Sequence, residues 1–64
     1  MDSASFNAIS TRVDQLRREV MALEQAYLAE TNVMKRVDML EAPLGPARNA
    51  LANEIRKLEA ARQG

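Results

Sequence analysis

The chain has no cysteine, no histidine and no tryptophan, and its 64 residues include one phenylalanine, one tyrosine, two glycines and two prolines. Without thiols there is no disulfide to staple a small fold, and without Cys or His a structural zinc or haem site lacks its usual ligands. An absence of cysteine fits a reducing compartment, so a cytoplasmic location is expected. With Phe6 and Tyr27 its only aromatics, the chain is poor material for a sheet. Neither sign of charge dominates, because nine Lys/Arg face nine Asp/Glu. No large field therefore steers the chain onto nucleic acid or an anionic surface, and neither is expected as a partner. No apolar run approaches the roughly 20 residues of a membrane span. The opening Met1-Asp2-Ser3-Ala4-Ser5 lacks the basic and apolar regions of a secretory signal. Its serines read as helix-start residues, although they would also suit an export signal of another type.

The chemistry-bearing patterns are missing too. There is no Gly-rich phosphate loop, HExxH or GxSxG pattern, so no nucleophile, general base, cofactor or metal ligand is assigned and the expectation is a non-enzymatic protein. Glu19/Glu24 and Asp38/Glu41 are spaced like acid–base couples, but on exposed helices they read as solvated faces. The basic doublets Arg17-Arg18, Lys35-Arg36 and Arg56-Lys57 each have an acidic neighbour within four positions. Asp14–Arg18 and Glu54–Lys57 have the spacing of intrahelical ion pairs.

What the chain does carry is helix. Ala, Leu, Glu, Arg and Gln are strong helix formers. Phe6, Ile9, Val13, Leu16, Val20, Leu23 and Tyr27 alternate spacings of three and four residues, the a/d stripe of a coiled-coil helix. Ser3 or Ser5 can cap its start, and Thr11-Arg12-Val13-Asp14 resembles a second start, so the first ten residues are expected to fray. Ala42-Pro43-Leu44-Gly45-Pro46 is a break: Pro43 disfavours helix at Ala42, Gly45 tolerates positive φ, and Pro46 suits the first turn of a new helix.

The predicted fold is all-α. A long helix over about 5–41, a Pro/Gly turn at 42–46 and a shorter helix over about 46–61 form a single helical hairpin, 1–64, with coiled-coil character. One ambiguity lies at Ala29-Glu30-Thr31-Asn32-Val33, where weak helix formers cluster and Asn32 would cap a third helix if the chain broke. The stripe resumes in phase at Met34 and Val37, flanked by Val33 and Leu40, which favours one unbroken helix of about 37 residues.

At 1.5 Å per residue that helix would be about 55 Å long and the second about 25 Å. The second would then cover only the later half of the first. The expected intrachain core is Val33, Met34, Val37, Leu40, Leu44, Leu51, Ile55 and Leu58, with Leu51 near Val37, Ile55 near Val33 and Met34, and Leu58 near Glu30. Arg62 or Lys57 would neutralise Glu30. Phe6 through Leu23 would be left open, roughly 10 kcal/mol of apolar burial awaiting a partner. Phe6, Ile9, Val13, Leu16, Val20, Leu23 and Tyr27 are therefore the candidate partner-binding residues. Tyr27 is expected to keep its hydroxyl at the rim, and Met34 to be plain core, with Met21 and Met39 outside the stripe.

A protein partner follows, and oligomerisation or a partner helix completes the fold. A parallel in-register homodimer would set Arg12 beside Arg17 and Glu19 beside Glu24 of the other chain, so antiparallel pairing is favoured. In outline, two helices about Pro43-Leu44-Gly45-Pro46, the chain is similar to the small helical-hairpin proteins of type III secretion. It departs from their Pro-Ser-x-Pro turn and aromatic-rich tail, and no motif assigns a family. It is also similar in outline to Rop-like RNA-binding hairpins, but lacks a basic face. The expected function is an adaptor or assembly chaperone that buries its amino-terminal stripe against a different protein's helix. The alternative is a self-associating subunit of a helical assembly or filament, of secretion-apparatus or phage-particle type.

Overall fold

The computed structural model of the chain describes residues Ser3–Gln63; Met1, Asp2 and Gly64 lie outside the described residues. All three regular elements are α-helices: α1 (Ser3–Ala29), α2 (Val33–Met39) and α3 (Gly45–Gln63), with a wide turn over Leu40–Leu44 between the last two. Ser3, Ser5 and Thr11 all lie inside α1, and positions 3–10 are helical where fraying was expected.

The unbroken 37-residue helix does not form. α1 stops at Ala29, although the Glu30 amide still donates to the carbonyls of Ala26 and Tyr27 at 3.1 and 3.2 Å. Asn32 then turns extended, with φ −83° and ψ 116°, and its side-chain oxygen accepts from the amides of Met34 and Lys35 at 2.9 and 3.2 Å. The Glu30 carboxylate accepts from the Asn32 amide at 3.0 Å. Side chains thus replace the carbonyls that a continuous helix would have offered, which makes the break inexpensive. Heptad phase reports where side chains fall and is blind to this local competition for backbone amides.

The second break is the one at Pro43. Ala42 is extended (φ −163°, ψ 133°), the geometry favoured before proline, and the Ala42–Pro43 peptide is cis. The Gly45 amide donates to the Leu40 carbonyl, closing the wide turn. Gly45 has φ −57°, so positive φ is not what it provides. A Cβ at this position would run into the Leu40 carbonyl oxygen, so the absence of a side chain is what allows the close approach.

The register of α3 departs most from expectation. Arg48 donates through Nε and Nη2 to Oε1 of Glu24, at 3.3 and 3.2 Å, which sets the first turn of α3 level with Glu24. At 1.5 Å per residue, the antiparallel run from Arg48 to Gln63 reaches back to about Ile9. Leu51, Ile55 and Leu58 therefore lie along the α1 stripe, not against Val37, Val33 or Glu30. The reason is the excursion at positions 30–44: the chain is only 46 Å long, less than the roughly 55 Å of an unbroken 37-residue helix. α2 caps the end of the hairpin and does not prolong α1. Lys57 pairs with Glu54 at 3.1 Å instead of reaching Glu30.

The core follows from that register. Among the described residues, Val13, Leu16, Val20 and Leu44 are the buried apolar ones, at 2, 3, 6 and 0 % exposure. α3 contributes half-buried side chains, Ala47, Ala50, Leu51, Glu54, Ile55, Leu58 and Ala61, whose small alanines let the helices approach closely. Each fully buried aliphatic side chain is worth about 1.5–3 kcal/mol, and four of them support the whole hairpin. Leu44→Ala should therefore cost about 2–5 kcal/mol in urea unfolding followed by far-UV circular dichroism. Leu40→Ala, at a side chain 39 % exposed, should cost about 1 kcal/mol or less.

Candidate interaction surface

The stripe expected to await a partner is already occupied. Val13, Leu16 and Val20 are buried by the chain's own α3, while Phe6, Ile9, Leu23 and Tyr27 are half-buried along the same seam. Within this chain the central three of the seven residues expected to bind a partner are hairpin core. The reverse correction applies to Val33, Met34, Val37 and Leu40, expected as intrachain core. They are 69, 70, 46 and 39 % exposed.

These four share a face, because offsets of one, four and seven residues fall within about a third of a helical turn. α2 is thus amphipathic in the inverted sense, with its apolar side outward. Its other side carries Arg36 and Met39, both half-buried. The Arg36 guanidinium carbon sits 4.5 Å from the centroid of the Tyr27 ring. A planar, weakly hydrated guanidinium is the cation best suited to stack on an aromatic face, an interaction worth about 0.5–1 kcal/mol or more when desolvated. Its Nε is buried without a hydrogen-bond partner. That orphaned donor carries a desolvation cost of about 1–3 kcal/mol, so the stack is not an optimised anchor. The stack marks the side of α2 that faces the hairpin.

Two further apolar side chains, Met21 and Leu28, are 62 and 69 % exposed on α1. Lying seven residues apart, they share a face beside Glu24, whose carboxylate holds Arg48. That pair is about half exposed on both sides, at 50 and 42 %, so its role is to align the helices more than to stabilise them. The partner of Glu24 was invisible in the sequence, since 24 residues separate it from Arg48. Met34 and Val37 were singled out by phase, but on the wrong side of the fold. Arg36 over Tyr27 was missed; a Tyr and an Arg nine positions apart signal contact only once the helix is known to break between them.

Among the described residues, no group of three or more acidic, His or Cys side chains is placed to hold a metal ion. No helix among these residues is long and apolar enough to cross a membrane. No protein-family model matches the chain, and neither a curated protein nor a solved structure does.

Two measurements check this geometry. Val13→Asp should unfold the hairpin, with loss of most far-UV helicity, because it places an unpaired carboxylate in the seam at a cost above about 3 kcal/mol. Arg36→Ala should act locally: amide exchange should change over 33–39 and stay unchanged over 13–20.

Proposed function

We propose that this chain is a non-enzymatic helical interaction module, in which the α1–α3 hairpin is the scaffold and the outward face of α2 is the docking surface for another helix. The observation that carries the reading is the inversion of α2. Val33, Met34 and Val37 stand 46–70 % exposed while an arginine of the same helix is turned inward. Exposing the apolar side costs free energy in the isolated chain, and that cost is recovered when a second apolar surface covers the face. Met34, 70 % exposed on this face, is an adaptable side chain, and Met suits a surface that must fit a partner's contours. Adaptor or assembly-chaperone action remains the class of role that such a surface serves. The site differs from the amino-terminal stripe that the sequence favoured.

A photo-reactive amino acid at position 37 tests the reading in cells. Covalent adducts with a polypeptide are expected from position 37 and from position 34, and not from position 18 on the polar face of α1. Equal yields at all three positions, or none at 34 and 37, would refute a docking role for α2. Val37→Asp should abolish the adducts formed from position 34 while shifting the hairpin's own stability by only about 0.5 kcal/mol.

A further inference from the structure

We propose that α3 has a second register on this chain, in which residues 30–32 close into helix, α3 slides two heptads along the continued α1 stripe and covers Met34 and Val37 itself. The slide hides the face that docking requires, so as a regulator of docking it rests on the reading above. The first observation is periodicity. Two heptads beyond the seam residues Val20 and Leu23 stand Met34 and Val37, and two heptads beyond Glu24 stands Asp38. A slide of fourteen residues therefore passes Arg48 from one carboxylate to another and sets the α3 stripe on Met34 and Val37. An α-helix drifts only about 20° per heptad against a seven-residue repeat, so α3 meets a similar surface in both registers.

The second observation is closure. Two antiparallel helices joined by a tight turn reverse about the residue midway between positions that lie level. Arg48 lies level with Glu24, and the midpoint is position 36, inside α2, which leaves positions 30–44 as an excursion. With Arg48 level with Asp38 the midpoint is Pro43, where the helix must break in any case. Positions 30–41 then extend α1, and 42–46 make the turn.

The third observation is what holds the registers apart. The interruption rests on the side chains of Glu30 and Asn32, whose three hydrogen bonds to backbone amides are all exposed. Closing the helix replaces them with carbonyl acceptors. Arg36 is carried off Tyr27, because nine residues along a continuous helix is the opposite side, and its buried, unpaired Nε reaches water. Against the slide stand Glu30, which enters the stripe two heptads beyond Leu16, and the burial of Val13, Leu16 and Leu44 that is given up. The register with Arg48 on Glu24 is therefore the main state, and the slid register is the minor one that Glu30 and Asn32 hold down.

Spin labels on the full chain, which has no native cysteine, measure the register. Arg18→Cys and Asn53→Cys, both at exposed positions, lie nearly level when Arg48 is on Glu24, and the slide draws them roughly 21 Å apart along the axis. Glu30→Leu with Asn32→Ala continues the stripe and removes the cap, and should raise the share of the longer distance roughly tenfold. Met34→Glu added to that pair should restore the short distance, because the slid seam would then bury a charge; a hairpin that merely opened would be indifferent to it. Glu24→Lys should raise the longer distance with the break intact, because it repels Arg48 only in the main register, and it decides the matter if the double substitution loses helicity in circular dichroism. A short distance alone in both the Glu30→Leu/Asn32→Ala and Glu24→Lys chains, or a longer one unmoved by Met34→Glu, overturns the inference. If the distances shift while position 37 captures no polypeptide in cells, the slide stands and the docking reading falls. If position 37 captures a polypeptide and the distances never shift, docking stands and the slide is excluded.

Discussion

The position of α3 along α1 governs every other feature of this molecule. With Arg48 level with Glu24, the α3 stripe lies over Val13, Leu16 and Val20, and Leu44 is sealed at the closed end of the hairpin with no exposure. Had α3 begun its return from Glu41 at the end of a continuous helix, the same stripe would have covered Met34 and Val37 and left the amino-terminal arm bare. The two registers differ by about four turns of helix. What separates them is a three-residue interruption at Glu30-Thr31-Asn32, held by hydrogen bonds that are all exposed to solvent.

The interruption also divides the apolar surface into two populations. One, on α1 and α3, is satisfied within the chain. The other, on α2, is turned away from the hairpin, with Arg36 over Tyr27 on the inner side. A helix of seven residues has little independent stability. Its orientation is therefore set by what it touches, and here the stacked guanidinium takes the inner position. The apolar face is exposed on the opposite side, which is why it is a better candidate for an external partner than the half-covered seam.

Much of this was legible in the one-dimensional pattern. Helical composition, the heptad spacing from Phe6 to Tyr27 and the Pro43–Pro46 break sufficed to infer helices meeting in a hairpin, because these signals depend only on residues a few positions apart. The same pattern also marked Asn32 as the residue that would cap a new helix. It could not weigh that cap against continued phase, since the balance depends on where α3 packs afterwards. The expected burial of the two stripes was reversed for the same reason. Once α3 slides toward the amino terminus, Val13 and Leu16 exchange roles with Val33 and Met34, although no residue changes its local character.

The amino-acid sequence by itself determined that the chain is helical, that its helices are amphipathic and that a turn at Pro43 reverses the chain. Those properties follow from propensity, side-chain period and the restricted backbone of proline. Only the tertiary structure decided which apolar stripe is covered and which is exposed. That outcome rests on a long-range register, fixed by Glu24 with Arg48 and by the burial of Leu44. Period and propensity are indifferent to register, because a stripe with a seven-residue repeat fits its neighbour nearly as well after sliding by two heptads.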